Sequence, residues 1–289
     1  MREPEAAALE AQFGIRIRAA NPVNGGDIAR AYRLETSTDP YFVKLMDGGS
    51  GLSMLRAEAE GLRALSEAGA LAVPEVAGVC EVPGGGALLM EYVEAGRASD
   101  RSGETLGRGL AALHRHQGSA FGWPSDNFIG RLPQANGFSG DWAEFFSGHR
   151  LGPQYEMAQS KGFLNSSEVP DQGLVATRIR NLLPPLVPSL LHGDLWRGNY
   201  LVSVAGLPYL IDPAIYYGHA EVDLAMTRLF GGFPDSFYGA YNEISPPEPG
   251  CGQRQELYQL YYLLVHLNLF GPSYYPAVSS IGKRYFGHS

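Results

Sequence analysis

The amino-acid sequence predicts an α+β protein with two lobes: a small N-terminal lobe holding a five-stranded antiparallel sheet and one main helix, and a larger, mostly helical C-terminal lobe. Alternation of apolar and polar residues over 15–20, 28–36 and 41–46 is typical of half-buried strands. A helical segment then precedes two more predicted strands, at 74–82 and 87–94. Beyond them, helical periodicity dominates. A boundary near Val93 therefore divides residues 1–93 from residues 94–289.

Composition narrows the class of protein. Of 289 residues, 45% are hydrophobic and 18% charged, the profile of an ordered globular protein. The formal net charge of −8 argues against nucleic acid or an anionic membrane as main partner, because either would attract a basic face. Cys80 and Cys251 lie far apart, which argues against a disulfide scaffold or a structural zinc site. Without a signal-peptide core or a membrane-spanning apolar run, we expect a cytoplasmic protein.

Helical periodicity covers one segment of the N-terminal lobe and most of the C-terminal lobe. In segment 53–69, apolar residues recur at helical spacing, with Ser53 as a candidate N-cap and Gly69 as a stop. The C-terminal lobe has helical segments at 102–117, 141–162, 168–186 and 254–270. Region 119–140 is rich in Gly, Pro and Asn, and we expect it to be irregular.

Segment 190–214 carries the strongest chemical signal. His192, Asp194 and Asn199 follow the spacing HxDxxxxN, and Asp212 comes after a short predicted hairpin. Asp and Asn are common in turns, so each of them alone indicates little. Phosphoryl transfer from ATP needs a carboxylate that orients a hydroxyl and accepts its proton, which fits Asp194, and hard oxygen ligands for Mg²⁺, which fit Asn199 and Asp212. His192 has apolar neighbours in the sequence, and we expect it to brace the loop.

A lysine in the third predicted strand adds to this signal. Lys44 lies among apolar residues in YFVKLM, where a lysine either reaches water or meets an anion. Glu58 borders the apolar stripe of the next helix and can turn toward this strand, while Glu60 is the other candidate. A lysine and a glutamate in this order form the ion pair that holds the nucleotide phosphates in protein kinases. We therefore predict a pair between Lys44 and Glu58.

Two further segments are weaker candidates for contact with a nucleotide. Adjacent glycines in NGGDIARAY let backbone N–H groups approach phosphate closely, although a Gly-Gly hairpin needs no ligand. At the junction of the lobes, a kinase-like arrangement would place the Glu91 carbonyl and the Val93 amide on an adenine edge, but an ordinary strand leading into a linker fits equally well. The candidate phosphate-loop residues are Gly25, Gly26, Asp27 and Ile28.

Several segments resemble a known family. They read HGDLWRGN, IDPAIYYGHAEVDLAM, LFGGFPDSFYGAY, DNFIG and YQLYYLLVHLNLFG. These segments are similar to the fructosamine/ketosamine-3-kinase family, which belongs to the aminoglycoside-phosphotransferase-like branch of the protein-kinase fold. The resemblance implies a protein-kinase-like fold and ATP-dependent phosphorylation of the 3-hydroxyl of a ketosamine, a ribulosamine or a fructosamine. The protein would act on a small-molecule ketosamine or a glycated protein amine, and this activity would be protein deglycation. It would be a monomer or a weak dimer.

The resemblance also implies roles for individual residues. Asp194 would be the catalytic base, Asn199 and Asp212 the Mg²⁺ ligands, and Lys44 with Glu58 the pair that positions the phosphates of ATP.

On the substrate side, the resemblance implies that Trp196 stacks on the sugar-amine. His266 and Asn268 on the late helix could line the substrate pocket, or could be satisfied core residues. Asp223 is expected to brace the catalytic loop from the following helix. Some members carry a cysteine in the phosphate loop where this chain has Asp27, so a thiol switch is not expected there.

Two alternative functions remain open from the sequence. The first is a kinase of the same fold that acts on another alcohol, an aminoglycoside or a choline-like molecule, whose positive charge would suit an acidic pocket. The second is a pseudokinase that binds a nucleotide and acts as a scaffold. The presence of all five predicted ATP-site and catalytic residues argues against the pseudokinase.

Overall fold

The structure, a computed structural model, describes residues 1–23 and 29–287. The predicted phosphate-loop residues Gly25, Gly26, Asp27 and Ile28 therefore lie outside the described residues. Within the part of the chain that is described, no helix is long and apolar enough to cross a membrane.

A five-stranded antiparallel sheet forms the N-terminal lobe, as predicted. Its strands are β1 (Ile17–Pro22), β2 (Arg30–Thr36), β3 (Tyr41–Asp47), β4 (Val76–Val82) and β5 (Gly85–Glu91). They are ordered β1-β2-β3-β5-β4, so that β3 is central. Successive side chains of a strand point to opposite faces. Val43 and Leu45 pack on one face of the sheet with α1, the helix Glu3–Phe13, and Lys44 points to the other face.

Helix α1 was not predicted from the sequence. It lies on the face of the sheet opposite Lys44, where Leu9 is fully buried. The buried carboxylate of Glu5 accepts hydrogen bonds from the guanidinium groups of Arg2 and Arg30. This ion-pair cluster attaches α1 to the first residue of β2.

Helix α2 (Gly51–Ala68) covers the face of the sheet that carries Lys44. Leu55 and Leu62 pack against Leu88 of β5, which confirms the predicted apolar stripe. The helix ends before Gly69 as expected, but its N-cap position is Ser50, three residues before the predicted Ser53. Ser53 is therefore not the N-cap; its hydroxyl lies in the first turn and donates to the Ser50 carbonyl.

The rest of the chain is mostly helical, as predicted. Its helices are α3 (Asp100–Leu113), α4 (Trp142–Phe145), α5 (Gly152–Ser160), α6 (Gln172–Arg180), α7 (Glu221–Leu229), α8 (Asp235–Ile244), α9 (Cys251–Phe270) and α10 (Tyr275–Phe286). A π-helical turn (Phe146–Leu151) joins α4 to α5, and short 3₁₀ turns occur at Ser166–Glu168, Arg197–Asn199 and Pro272–Tyr274. The apolar helix α9 runs through the largest hydrophobic cluster, as its sequence indicated.

Three short two-stranded sheets, the first two of them hairpins, interrupt the helices and position the candidate site. Their strands are β6 (Asn127–Ile129) with β7 (Leu132–Gln134), β9 (Tyr200–Val202) with β10 (Pro208–Leu210), and β8 (Ser189–Leu191) with β11 (Tyr216–Gly218). The first lies within the region that we expected to be irregular. Pairing of Leu191 with Tyr216 brings the HGD segment beside the chain that follows Asp212.

Candidate active site

The loop that carries His192, Asp194 and Asn199 (the catalytic-loop segment, residues 192–199) is in direct backbone contact with the chain around Asp212 (the Asp212 segment, residues 211–214). The Ala214 N–H donates to the His192 carbonyl at 2.8 Å, and the Ile211 N–H donates to the Asn199 carbonyl at 3.0 Å. Gly193 has a φ of 83°, and a Cβ there would lie 2.0 Å from the Ala214 carbonyl oxygen. Only glycine fits this close approach without strain. The HxD sequence therefore needs its central glycine to bring Asp194 next to Asp212.

Asp212 has an unusual backbone conformation. Its φ is 56°, and it is the only residue other than glycine with positive φ in the described ranges 1–23 and 29–287. An aspartate in the left-handed region costs of order 1 kcal/mol, and such residues concentrate at functional sites. The backbone contacts on both sides hold this conformation, in which the carboxylate reaches across to β3.

Lys44 meets two carboxylates. Its ammonium group lies 2.6 Å from Glu58 Oε1 and also contacts Asp212 Oδ1. The predicted pairing with Glu58 rather than Glu60 is what the structure shows. Burial by itself would lower the pKa of Lys44, but Asp212 and Glu58 raise it above its usual range, so the lysine stays charged. Two carboxylates share one cation, and burial together with the Asp212 charge raises the pKa of Glu58 to about 7.

Asp194 is half-buried beside this cluster. Burial and repulsion from the Asp212 carboxylate raise the pKa of Asp194 to about 7. The side-chain amide of Asn199 donates to the Asp194 backbone carbonyl at 2.8 Å and to its Oδ2 at 3.1 Å. Asp194 therefore has a fixed orientation and a pKa close to neutral, which are the properties required of a general base.

A buried network holds the catalytic loop in place. Asp223 on α7 accepts hydrogen bonds from the backbone N–H groups of His192 and Gly193, at 2.8 and 2.9 Å. This is the brace predicted for Asp223. His114 at the end of α3 donates to Asp223 through Nε2 and accepts from the Tyr241 hydroxyl through Nδ1. Neither His114 nor Tyr241 was predicted from the sequence, because nothing near them in the chain points to a site.

His192 also acts as a brace. Its Nε2 donates to the Ile211 carbonyl at 2.9 Å, and its Nδ1 accepts from the Asp194 N–H at 3.3 Å. Burial lowers the pKa of His192, so both hydrogen bonds suit a neutral ring. The prediction that His192 braces the loop is consistent with this geometry.

Loss of the Asp223 brace should destabilise the fold. We expect Asp223→Ala to lower the free energy of unfolding by about 3 kcal/mol, because two buried N–H groups lose their acceptor. Burial opposes ionisation of Asp223, but hydrogen bonding from His114 lowers its pKa. The stabilisation by the ionised carboxylate is therefore present above about pH 4 and is lost as pH falls further. Urea unfolding at pH 7 measures the change. Asp223→Asn, which keeps one acceptor oxygen, should recover part of it, and an unchanged midpoint for the alanine variant would contradict the brace.

The chain as a whole matches one known family. The family model for fructosamine kinase matches residues 1–286. The chain belongs to the fructosamine kinase family. This confirms the resemblance noted in the sequence and makes the protein a kinase.

Relatives and solved structures agree with this membership. "Probable ketoamine kinase" of Synechocystis sp. is 44% identical over 272 residues, covering 93% of this chain and 90% of the relative. "Protein-ribulosamine 3-kinase, chloroplastic" of Oryza sativa subsp. japonica is 38% identical over 278 residues, covering 93% and 79%. The structure of a candidate fructosamine-3-kinase of Haemophilus somnus superposes with a TM-score of 0.87 at 31% identity, covering 97% of this chain and 96% of that one.

A more distant structure shows the fold alone. A thermostable mutant of aminoglycoside phosphotransferase APH(4)-Ia superposes with a TM-score of 0.64 at 16% identity, covering 98% of this chain and 100% of that one. The predicted protein-kinase-like, aminoglycoside-phosphotransferase-like fold is thereby confirmed.

In this fructosamine kinase family member, Trp196 lies next to Asp194 and is 40% exposed. One part of its ring packs on the backbone of Gly198, where a Cβ would come within 2.4 Å of the indole. The remaining surface of the ring is open to solvent. Stacking of a sugar-amine on Trp196 stays a prediction.

His266 and Asn268 lie deeper in the C-terminal lobe. His266 donates from Nδ1 to the Tyr262 carbonyl at 2.8 Å and packs against Phe230 at 4.5 Å between ring centroids. The side-chain amide of Asn268 donates to the backbone carbonyl and side-chain oxygen of Gln154, both at 2.9 Å. Gln154 lines a cavity of about 250 Å³ between α5, α9 and the β6–β7 hairpin. A role for either residue in binding substrate stays a prediction.

The junction of the lobes is joined to the β9–β10 hairpin. Glu91 ends β5, and its N–H donates to the Glu75 carbonyl at 2.8 Å. Val93 follows in a segment without regular structure. The Gly96 N–H donates to the Val202 carbonyl at 2.7 Å, which attaches this segment to the β9–β10 hairpin. Contact of Glu91 and Val93 with adenine stays a prediction, as does the lobe boundary near Val93.

Proposed function

We propose that this member of the fructosamine kinase family transfers the γ-phosphoryl group of ATP to the 3-hydroxyl of a ketosamine, a ribulosamine or a fructosamine, free or on a protein amine. The observation that carries the proposal is the convergence of Lys44, Glu58, Asp194, Asn199 and Asp212 from separate parts of the chain. The names of the curated relatives, ketoamine kinase and protein-ribulosamine 3-kinase, support the choice of acceptor.

Each step of the reaction has a residue suited to it. Lys44, held by Glu58, supplies a fixed positive charge for the phosphates of ATP. Asp194 orients the acceptor hydroxyl and takes its proton as the oxygen attacks the γ-phosphorus and the bond to ADP breaks. Phosphoryl transfer depends mainly on positioning and charge stabilisation, which a preorganised cluster of this kind provides.

The donor set also fits Mg²⁺. Asn199 uses its NH₂ group on Asp194, which leaves its carbonyl oxygen available, and Asp212 uses Oδ1 on Lys44, which leaves Oδ2. Mg²⁺ is usually held by one or two carboxylates together with substrate phosphates, so one amide and one carboxylate oxygen are a suitable pair. Burial is the main cause of the raised pKa of Asp194, and the Asp212 charge adds to it; a cation would offset that charge. When bound, the ion would neutralise charge on the phosphates.

The pKa of Asp194 predicts a pH profile. A base must be deprotonated, so we expect kcat/KM for the acceptor to fall with unit slope below the pKa of Asp194 and to level off above it. That pKa is about 7 without a cation, and bound Mg²⁺ should move the acidic limb to lower pH. Steady-state rates between pH 5.5 and 9 would measure this. Glu58 also has a pKa of about 7, so the profile should be repeated with Glu58→Gln, in which the acidic limb should remain. A profile without an acidic limb would contradict the assignment of Asp194 as the base.

Phosphate transfer to a synthetic ribulosamine tests the proposed reaction. NMR of the product locates the phosphorylated carbon, and the same assay with fructosamine, aminoglycoside and choline acceptors distinguishes the alternative substrates. Phosphate on carbon 3 supports the proposal, and preferred transfer to an aminoglycoside or choline would replace it. Binding of nucleotide with no transfer to any acceptor would indicate a pseudokinase. A monomer or weak dimer and a cytoplasmic location stay predictions.

A further inference from the structure

Glu60, the other candidate for the pair with Lys44, forms hydrogen bonds with a different part of the chain. Glu58 and Glu60 are two residues apart on α2, which places them about 200° apart around the helix. Glu58 faces the sheet and Lys44, whereas Glu60 faces the C-terminal lobe. Glu60 Oε1 accepts hydrogen bonds from Trp123 Nε1 and from the Ser125 hydroxyl, both at 2.8 Å. We call these two hydrogen bonds the Glu60 bridge.

The loop that carries Trp123 and Ser125 is attached to the chain after Asp212. Gly122 and Tyr217 exchange two backbone hydrogen bonds of 2.9 Å, and the rings of Trp123 and Tyr217 are 5.6 Å apart. The Asn127 side chain donates to the Ile215 carbonyl at 2.8 Å. The loop is therefore attached to the segment that positions Asp212 by backbone and side-chain hydrogen bonds.

Helix α2 also touches this segment directly. A Cβ on Gly61 would lie 2.9 Å from the Pro213 ring, so the helix backbone rests on the residue that follows Asp212. Beside this contact the two surfaces separate around a cavity of about 540 Å³, lined by Arg56, Ala59, Glu60, Arg63, Glu67 and Trp123. Leu55 and Leu62 hold α2 on the sheet, but on the side facing the C-terminal lobe the packing is open, so the hydrogen bonds of Glu60 add to the Gly61 contact in fixing α2 relative to that lobe.

From this geometry we infer that Glu60 is a positioning residue for the ATP site. Together with the buried contacts of α2 on the sheet, the Glu60 bridge holds α2 in the rotation that places Glu58 on Lys44, and it couples that rotation to the Asp212 segment. Nucleotide affinity depends on the fraction of molecules in which the Lys44–Glu58 pair is formed, since a protein that is only partly competent binds more weakly in proportion. The inference rests on the ATP-binding part of the proposed function and does not depend on the acceptor.

Binding of AMP-PNP with Mg²⁺, measured by calorimetry, tests the Glu60 bridge without an acceptor. We expect Glu60→Ala to weaken AMP-PNP binding about fivefold with little change in unfolding temperature, because Glu60 is exposed. Glu60→Gln keeps the acceptor oxygen and should bind within twofold of the wild type. Trp123→Phe removes one donor and should weaken binding in the same direction, and Glu60→Ala with Trp123→Phe should weaken it less than the product of the two single effects.

Glu67→Ala is the matched control. Glu67 is an exposed glutamate on the same helix that lines the same cavity, and it should not affect AMP-PNP affinity. Equal affinities for Glu60→Ala and Glu67→Ala, or fully multiplicative effects in the double variant, would overturn the inference. So would a Glu60→Gln variant as weak as Glu60→Ala. Failure of phosphate transfer to ribulosamine would reject the proposed acceptor and leave this result intact, whereas no binding of AMP-PNP to the wild type would overturn both.

Discussion

Replacement of Asp194 by asparagine is expected to slow phosphoryl transfer by about 10³-fold, within the range attributed to a general base. Asparagine keeps the shape of the side chain and an oxygen for the Asn199 amide, so the loop should remain in place. Only the capacity to accept the proton of the acceptor hydroxyl is lost. The expected loss is therefore in kcat, with little change in the affinity for AMP-PNP, and steady-state kinetics together with calorimetry would separate the two.

Stability provides an internal control for this variant. Because the folded protein raises the pKa of Asp194 to about 7, its ionisation lowers stability progressively as pH rises from about 4, and the full loss is present above about pH 7. Asp194→Asn should thus be at least as stable as the wild type at pH 8, and lost activity could not be ascribed to unfolding. Asp235→Asn, at an exposed position of α8, should leave kcat unchanged. Turnover of Asp194→Asn close to that of the wild type would exclude Asp194 as the base.

Lys44→Met should reduce kcat/KM for ATP by at least about 100-fold, since it removes a positive charge that both Glu58 and Asp212 contact. Methionine has a similar length and can fill the same space on β3. The two carboxylates would then face each other without a cation. Nucleotide affinity and transfer rate are both expected to fall, in contrast to Asp194→Asn, in which affinity is retained.

The effect of Lys44→Met on stability should be moderate. Removing one partner of a buried ion pair typically costs about 3–5 kcal/mol, but Glu58, with a pKa of about 7, can take up a proton and reduce that cost. Urea unfolding would measure it, with Lys283→Met on the exposed surface of α10 as the matched lysine control. If Lys44→Met bound AMP-PNP as tightly as Lys283→Met, the assignment of Lys44 to the phosphates would be wrong.

Much of the candidate site could be predicted from local sequence. The spacing of Asp194 and Asn199 and the apolar stripe beside Glu58 are properties of a few neighbouring residues, so they can be read without the fold. Helix α1 could not be predicted in this way. Its buried residues are Glu5 and Leu9, which do not form an apolar stripe, and ion pairs of Glu5 with Arg2 and Arg30 hold it on the sheet.

The sequence by itself determined the family, the two-lobed plan and the kinds of side chain available for phosphoryl transfer. It did so because motifs and periodicity depend on spacing along the chain. Only the tertiary structure decided how those side chains meet: Lys44 contacts Asp212 across 168 positions, and Glu60 contacts Trp123 and Ser125 instead of Lys44. It also decided the pKa of Asp194 and the His114–Asp223 brace. Burial, charge proximity and hydrogen bonds between distant segments arise only when packing brings those segments together.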